Sequence, residues 1–185
     1  MTVENNDYAD QFQPPFPMKA AQIHALTSLK TLPTYQATVY LRAINGDFVI
    51  AEHGGGGGVV HEPRAEAGLH EKFTLHDLDG PVLLSGHRVT FRTKDKGLYL
   101  QAEGGGGPDA RLLADGGAEE GPETFIIEKT DGRTGVIREG DEVTLRIGEP
   151  RRFVVAELNN GSTAMNVNRP SVGTWERFTI HVVPQ

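Results

Sequence analysis

Five of the seven histidines lie close together in the sequence, and imidazole is a common ligand of transition metals. They are His53, His61, His70, His76 and His87. If a hairpin is centred on the glycine run at Gly57, strand pairing places His53 opposite His61. Two facing imidazoles are the beginning of a zinc or nickel site. Because the spacing offers no third ligand, the alternative interpretation is that both are solvated residues beside a turn.

Arginine and glutamate recur at fixed positions, a combination that can serve catalysis. One position is held by Arg42, Arg92 and Arg146, and another by Glu71, Glu123 and Glu176. Since each type occurs three times, a pair that stabilises the fold is a simpler interpretation than three active sites. We predict that each arginine lies within hydrogen-bonding distance of a repeat-equivalent glutamate or a backbone carbonyl. A third set, predicted to accept hydrogen bonds from backbone N–H groups at turns, is Glu52, Glu103 and Glu157.

Glycine runs at residues 54–58 and 104–107 resemble a phosphate-binding loop only in composition. A phosphate loop precedes a helix, whereas strand-like residues follow both runs, so we predict turns at hairpin tips. The sequence has no cysteine and therefore no thiol nucleophile or disulfide. It also lacks a Ser-His-Asp set, a His-Glu-x-x-His helix motif and a calcium loop. We expect a protein that is not an enzyme and needs no cofactor.

A short motif positions these residues, and it occurs three times. It reads aromatic, aliphatic, any residue, alanine and glutamate, followed by a turn of small residues, and it begins at Phe48, Tyr99 and Phe153. Around each copy lie four strand-length runs with period-two alternation, bounded by turn residues. Twelve short strands in three groups predict an all-β protein, a β-trefoil with a closed six-stranded barrel capped by three hairpins.

The predicted trefoil domain spans residues 39–185, with repeats at about 39–88, 89–142 and 143–185. An N-terminal arm, residues 1–38, precedes it, and residues 18–32 suit either a short helix or a strand. Side chains that recur at core positions should be buried together. They are Leu41, Val49, Phe73, Phe91, Leu100, Phe125, Leu145, Val154 and Phe178.

The repeats resemble those of the fascin-like branch of the β-trefoils. The resemblance is carried by Val-x-Leu/Phe-Arg, by the run Gly97-Leu98-Tyr99-Leu100-Gln101-Ala102-Glu103, and by Trp175-Glu176-Arg177-Phe178, and it covers about residues 39–183. The resemblance implies a non-catalytic binding module for a protein filament of the actin kind or another macromolecule. Ricin-type lectins carry Gln-x-Trp in each repeat, which this chain lacks, but another carbohydrate site remains an alternative.

Net charge and hydropathy indicate which classes of partner to expect. The formal net charge is −7 and the pI is about 5.5, which disfavours nucleic acid because a phosphate backbone repels an acidic surface. No basic leader and no apolar run of membrane-spanning length is present, so we expect a cytoplasmic protein without membrane insertion. Another alternative is a structural subunit that forms a homo-oligomer through residues 1–38.

Repeat 3 departs most from the other two, and a ligand site is best sought where repeats differ. Its turn contains Asn159 and Asn160, its third strand contains Asn166, and Trp175 stands where the other repeats have histidine and proline. Amides both donate and accept hydrogen bonds, and an aromatic ring offers an apolar platform. We predict that these four residues border a surface for a neutral polyhydroxylated ligand. Buried tryptophan and ordinary turn asparagines are the alternative.

Overall fold

The computed structural model describes residues 35–119, 121–157 and 163–184. These ranges contain twelve strands and three 3₁₀ turns. The strands are β1 (Gln36–Ala43), β2 (Phe48–Ala51), β3 (Val59–Glu62), β4 (Phe73–Asp77), β5 (Arg88–Thr93), β6 (Tyr99–Ala102), β7 (Leu112–Gly116), β8 (Phe125–Lys129), β9 (Glu142–Ile147), β10 (Arg152–Val155), β11 (Asn166–Arg169) and β12 (Phe178–Val182). The turns are Glu52–Gly54, Glu103–Gly105 and Gly121–Glu123.

Six strands close into a barrel, and every pairing is antiparallel. The order is β1–β4–β5–β8–β9–β12, and β12 returns to β1. The remaining strands form three hairpins, β2–β3, β6–β7 and β10–β11, one in each sequence repeat. The first strand of each repeat pairs with the fourth strand of the preceding repeat, so β9 pairs with β8 and β1 with β12. Closure removes the exposed edges that such short strands would otherwise present.

The alternating pattern of the sequence produces this barrel. In β1 every second residue is buried, and the residues between them face outward. All nine predicted core side chains are buried in one cluster, which confirms that prediction. Phe91 makes edge-to-face contacts with Phe73 and Phe125, with ring centroids 6.5 and 6.4 Å apart. Burying each large apolar side chain contributes about 1.5–3 kcal/mol, so the threefold pattern also accounts for much of the stability.

The first strand begins earlier than predicted. β1 begins at Gln36, inside the predicted arm of residues 1–38, because Gln36–Thr38 extend the pairing with β4. The fourth strand of each repeat begins two residues after the repeated glutamate, which therefore lies in a turn. The predicted helix or strand at residues 18–32 lies outside the described residues.

Candidate functional site

The two histidines predicted to face each other are not paired. His61 lies opposite Val49, which shifts the hairpin register from the predicted one. The physical reason is the tight turn Glu52–Gly54, in which His53 adopts a left-handed conformation with φ 54°. The predicted facing of His53 and His61 is therefore wrong, and the metal site predicted from it is left without that geometry. Within the described part of the chain, no group of three or more potential metal ligands comes together.

His61 instead belongs to a buried polar network. Its side chain is fully buried, with Nδ1 3.0 Å from Oδ2 of Asp47 and Nε2 3.2 Å from the backbone oxygen of Glu157. Asn45 donates a second hydrogen bond to the same carboxylate oxygen at 2.9 Å. Each ring nitrogen thus faces an oxygen, and the network joins the first hairpin to the segment that follows β10 in repeat 3. With its ring fully buried and both nitrogens engaged, His61 stabilises the fold.

The three repeated arginines make three different contacts. The guanidinium carbon of Arg42 lies 4.2 Å from the centroid of the Phe48 ring. Arg92 donates from Nε to the carbonyl of Gly97 at 2.8 Å, and Arg146 donates two hydrogen bonds to Glu128 at 3.1 and 2.9 Å. Arg92 meets the prediction through a backbone carbonyl, whereas Arg146 binds Glu128 in place of one of the repeated glutamates, because strand pairing brings the neighbouring repeat's fourth strand beside each arginine. Those glutamates are Glu71, Glu123 and Glu176.

The repeated glutamates are buried and have their own partners. Arg64 binds Glu71 at 3.2 Å, and Arg169 lies 3.8 Å from Glu176. In both repeats the arginine precedes the glutamate by the same spacing, but repeat 2 has Gly116 at that position. A Cβ on this glycine would lie 2.7 Å from the Cγ of the repeat-2 glutamate. Repeat 2 therefore replaces the ion pair with close packing.

The glutamates that end the repeated motif close the turns, as predicted for two of them. Oε2 of Glu52 accepts from the N–H of Gly58 at 3.1 Å, and Oε2 of Glu103 accepts from the N–H of Arg111 at 3.3 Å. The third, Glu157, contacts the guanidinium of Arg169 instead.

The predicted ligand surface of repeat 3 is only partly described. Asn159 and Asn160 lie outside the described residues. Asn166 begins β11 and pairs with Val155, while the carbonyl of Trp175 accepts from the N–H of Ala156. Both side chains are partly exposed, so Trp175 is not a fully buried core residue. Neither borders the two open grooves described next, and the surface stays a prediction.

Two grooves occupy equivalent places in repeats 1 and 3. Each lies between the first strand and hairpin of its own repeat and the fourth strand of the preceding repeat. The repeat-1 groove has a volume of about 520 Å³ and is lined by residues that include Tyr40, Arg42, Phe48, Glu66, Ala67, Lys72 and Glu139. The repeat-3 groove has a volume of about 470 Å³ and is lined by residues that include Glu128, Lys129, Arg133, Thr144, Arg151, Phe153, Val172 and Arg177.

In repeat 2 a carboxylate occupies the corresponding position. Glu119, the equivalent of Ala67 and Val172, lies 3.0 Å from Nδ1 of His76 and 3.3 Å from the hydroxyl of Thr90. Burial raises the pKa of the Tyr99 hydroxyl, and the charge and hydrogen bond of Glu119 raise it further. Glu119 thus uses up the polar groups that would otherwise be available to a ligand.

The repeat-3 groove combines an apolar wall with fixed polar groups. Val172 supplies exposed apolar carbon, and the buried Phe153 ring lies beneath, 5.3 Å from the guanidinium of Arg151. Arg177 is held in place by Glu142 at 3.1 Å and by the carbonyl of Gly173 at 3.0 Å. This is the usual composition of a small-molecule site, with few oriented polar groups on an apolar surface.

Sequence reasoning missed these groove residues. They come from four segments that are distant in sequence and meet only through the pairing of β8 with β9. The sequence nevertheless contained a signal. The position four residues before the repeated glutamate is Ala67 in repeat 1, Val172 in repeat 3 and Glu119 in repeat 2. Comparing this variable position between repeats would have indicated which repeats stay open.

No family model and no curated protein matches the sequence, and the described residues contain no helix long and apolar enough to cross a membrane.

Several solved structures share the fold at low sequence identity. The SDF2-like protein from Arabidopsis thaliana is 10% identical, with a TM-score of 0.61 over 81% of this chain and 94% of that chain. The Macrolepiota procera ricin B-like lectin, solved with lactose, is 15% identical, with a TM-score of 0.60 over 82% and 99% of the two chains. The Polyporus squamosus lectin, bound to the epitope Neu5Acα2-6Galβ1-4GlcNAc, is 14% identical, with a TM-score of 0.60 over 79% of this chain and 49% of its own. At these identities the likeness concerns the fold alone: this chain is an all-β protein with a closed six-stranded barrel, and its structural neighbours are β-trefoil-like.

Proposed function

We propose that this protein is a non-catalytic β-trefoil module of the lectin kind, which binds a glycan in the repeat-3 groove. The observation that carries the proposal is the groove itself. It places hydroxyl, carboxylate and guanidinium groups beside the exposed apolar carbon of Val172. A sugar presents both hydroxyl groups and apolar C–H faces, so it needs this combination.

The rigidity of the groove supports binding at low entropic cost. Its first wall is strand β9, whose pairing with β8 fixes Glu128 opposite Thr144. Glu128 is held further by two hydrogen bonds from Arg146, and Thr144 is buried. Side chains that are ordered before a ligand arrives lose little freedom when it binds.

The structural neighbours agree with this proposal. Two of them are lectins that were solved with lactose and with a sialylated trisaccharide. The chain lacks the Gln-x-Trp motif of ricin-type lectins, so the proposed site uses other residues on a similar scaffold.

The experiment is a glycan array probed with the full chain, followed by titration with the best ligand. Val172 is 41% exposed at the groove, so a Val172→Trp variant fills the groove without disturbing the core. Ala67→Trp makes the matched change in the repeat-1 groove. We expect Val172→Trp to abolish binding and Ala67→Trp to leave it unchanged. Binding that survives Val172→Trp, or an array without any bound glycan, contradicts the proposal.

Filament binding is a second candidate, favoured by the repeated motif that resembles fascin-like trefoils. Co-sedimentation with actin filaments tests it, and pelleting that saturates with filament concentration would support it.

A third candidate is assembly through residues 1–38. Mass in solution decides this case, since a mass that stays monomeric at all concentrations contradicts it.

A further inference from the structure

We infer that the repeat-3 groove selects a glycan that carries a carboxylate or sulfate group, and that Arg151 is the residue that binds this group. The inference rests on the proposed glycan-binding function and names the class of ligand for the same site. It differs from the neutral polyhydroxylated ligand predicted from the asparagines of repeat 3.

The charges that line the groove oppose the charge of the whole chain. Four cationic side chains line the groove, beside one carboxylate, that of Glu128; the cations are Lys129, Arg133, Arg151 and Arg177. The chain as a whole carries a formal net charge of −7. The equivalent repeat-1 groove is balanced instead, since its cations Arg42 and Lys72 are matched by Glu66 and Glu139. The same scaffold thus bears a positive site in one repeat and a neutral one in another.

Carboxylates outside the groove compensate three of the four cations. Lys129 binds Asp141 at 3.0 Å and Arg177 binds Glu142 at 3.1 Å. Arg133 is 84% exposed, and the nearest oxygen of Asp131 lies 3.9 Å from its Nε. These pairs hold the side chains in position but reduce their attraction for an anion. These three cations therefore shape the groove but contribute little net positive charge to it.

Arg151 is the cation that remains available. No ion pair joins its guanidinium to any of the described carboxylates, and its closest aromatic contact is the Phe153 ring, 5.3 Å from its guanidinium carbon. Stacking on a ring uses the flat face of the guanidinium and leaves its N–H edge open. That edge matches the two oxygens of a carboxylate or a sulfate, which it can bind with two parallel hydrogen bonds.

The remainder of the groove suits the sugar to which the anion is attached. Hydroxyl groups of Ser85, Thr130 and Thr134 line the groove beside the cations. The hydroxyl of Thr130 donates to Glu142 and can accept from a sugar, and that of Ser85 accepts from the N–H of Lys129 and can donate to one. Val172 contributes apolar surface. The groove volume of about 470 Å³ accommodates one or two sugar rings.

The test is calorimetric titration of the full chain with lactose, sialyllactose and sulfated lactose, which separates the neutral sugar, the carboxylate and the sulfate. We expect the anionic sugars to bind at least tenfold more tightly than lactose. Arg151→Gln should weaken binding of the anionic sugars about tenfold, the loss of one charge-assisted contact, and so bring their affinity close to that of lactose. Arg151→Lys keeps the charge without the planar edge and should fall between the two.

Arg138→Gln is the matched control, because Arg138 is exposed and lies outside the groove. This substitution removes one positive charge, as Arg151→Gln does. Thermal melting of each variant verifies folding. Equal affinity for lactose and the anionic sugars, or an equal loss in Arg138→Gln and Arg151→Gln, overturns the inference but leaves the proposed function intact. A chain that binds no glycan at all overturns both.

Discussion

His61 is a polar residue whose fully buried ring meets an oxygen at each nitrogen. Removing the ring leaves the Asp47 carboxylate buried with one partner fewer. Because an uncompensated buried polar group is costly and a cavity adds to the loss, His61→Ala should lower the free energy of unfolding by about 3 kcal/mol. Urea denaturation at neutral pH measures this change.

His53 supplies the matched control for that substitution. It lies in the same hairpin but is exposed, so His53→Ala should change the free energy of unfolding by less than about 0.5 kcal/mol. Equal effects of the two substitutions would show that the buried network contributes nothing specific.

A second residue-scale prediction concerns the carboxylate of Asp79. Hydrogen bonds from Arg88 hold the pKa of this carboxyl below its usual range, with Nη2 at 2.6 Å and Nε at 2.9 Å from Oδ1. A lowered pKa means that the folded state binds fewer protons than the unfolded state. The stabilisation is therefore complete above the unfolded pKa of about 3.9 and disappears as the pH falls through the lower folded value.

We expect Asp79→Asn to be less stable than the natural chain at pH 7, by less than about 1 kcal/mol because Arg88 is 58% exposed. The difference should shrink at pH 3 and in high salt. Denaturation curves at both pH values measure it, and a difference that does not depend on pH would mean that Asp79 acts only through packing.

At the scale of elements, the glycine turns differ between repeats in how closely they are packed. Gly54 and Gly105 hold equivalent positions and both have positive φ, 72° and 78°. A Cβ on Gly54 would lie 2.2 Å from Oδ2 and 2.7 Å from Cβ of Asp95, whereas a Cβ on Gly105 meets nothing within 4 Å. The first turn therefore needs glycine for space as well as for its backbone conformation.

Alanine substitutions at these two glycines separate the two requirements. Gly105→Ala should cost about 1 kcal/mol from the left-handed conformation alone. Gly54→Ala should cost about 1–3 kcal/mol more, because Asp95 must move. Thermal melting of the two variants compares them directly, and equal losses would mean that the contact with Asp95 relaxes freely.

The elements also show how far the sequence alone could lead. Alternation and the repeated motif predicted strand positions and the nine core residues, because those patterns are imposed locally by the pleat and by burial. The predicted register of the first hairpin was wrong. A run of five glycines permits several turn centres, and the tight turn Glu52–Gly54 determines which one forms. The ion pair of Arg146 with Glu128 was not predicted either, because the two residues meet only when β8 pairs with β9. Contacts between repeats depend on closure of the barrel, which no single repeat encodes.

At the scale of the whole molecule, the first and last strands close the barrel. Val39 pairs with Val182, and the N–H of Val183 donates to the carbonyl of Thr38 at 2.8 Å. Earlier residues add to β1, since Gln36 pairs with His76. The N–H of Tyr35 donates to the carbonyl of Gly80, and its carbonyl accepts from the N–H of Asp77, the last residue of β4. The barrel thus requires the chain from residue 35 onward.

Two truncated chains test this requirement. A chain that begins at Pro33 keeps every contact described for β1, so it should melt within about 2 °C of the full chain. A chain that begins at Val39 loses three paired residues of β1, the backbone bonds of Tyr35 and the buried Ala37. Several hydrogen bonds at about 1 kcal/mol each, together with the lost apolar burial, amount to about 3–4 kcal/mol. This lowers the melting temperature by about 10 °C for a domain of this size. An unchanged melting temperature for the shorter chain would mean that β1 needs only its pairing with β12, and a drop for the longer chain would mean that residues 1–32 stabilise the barrel.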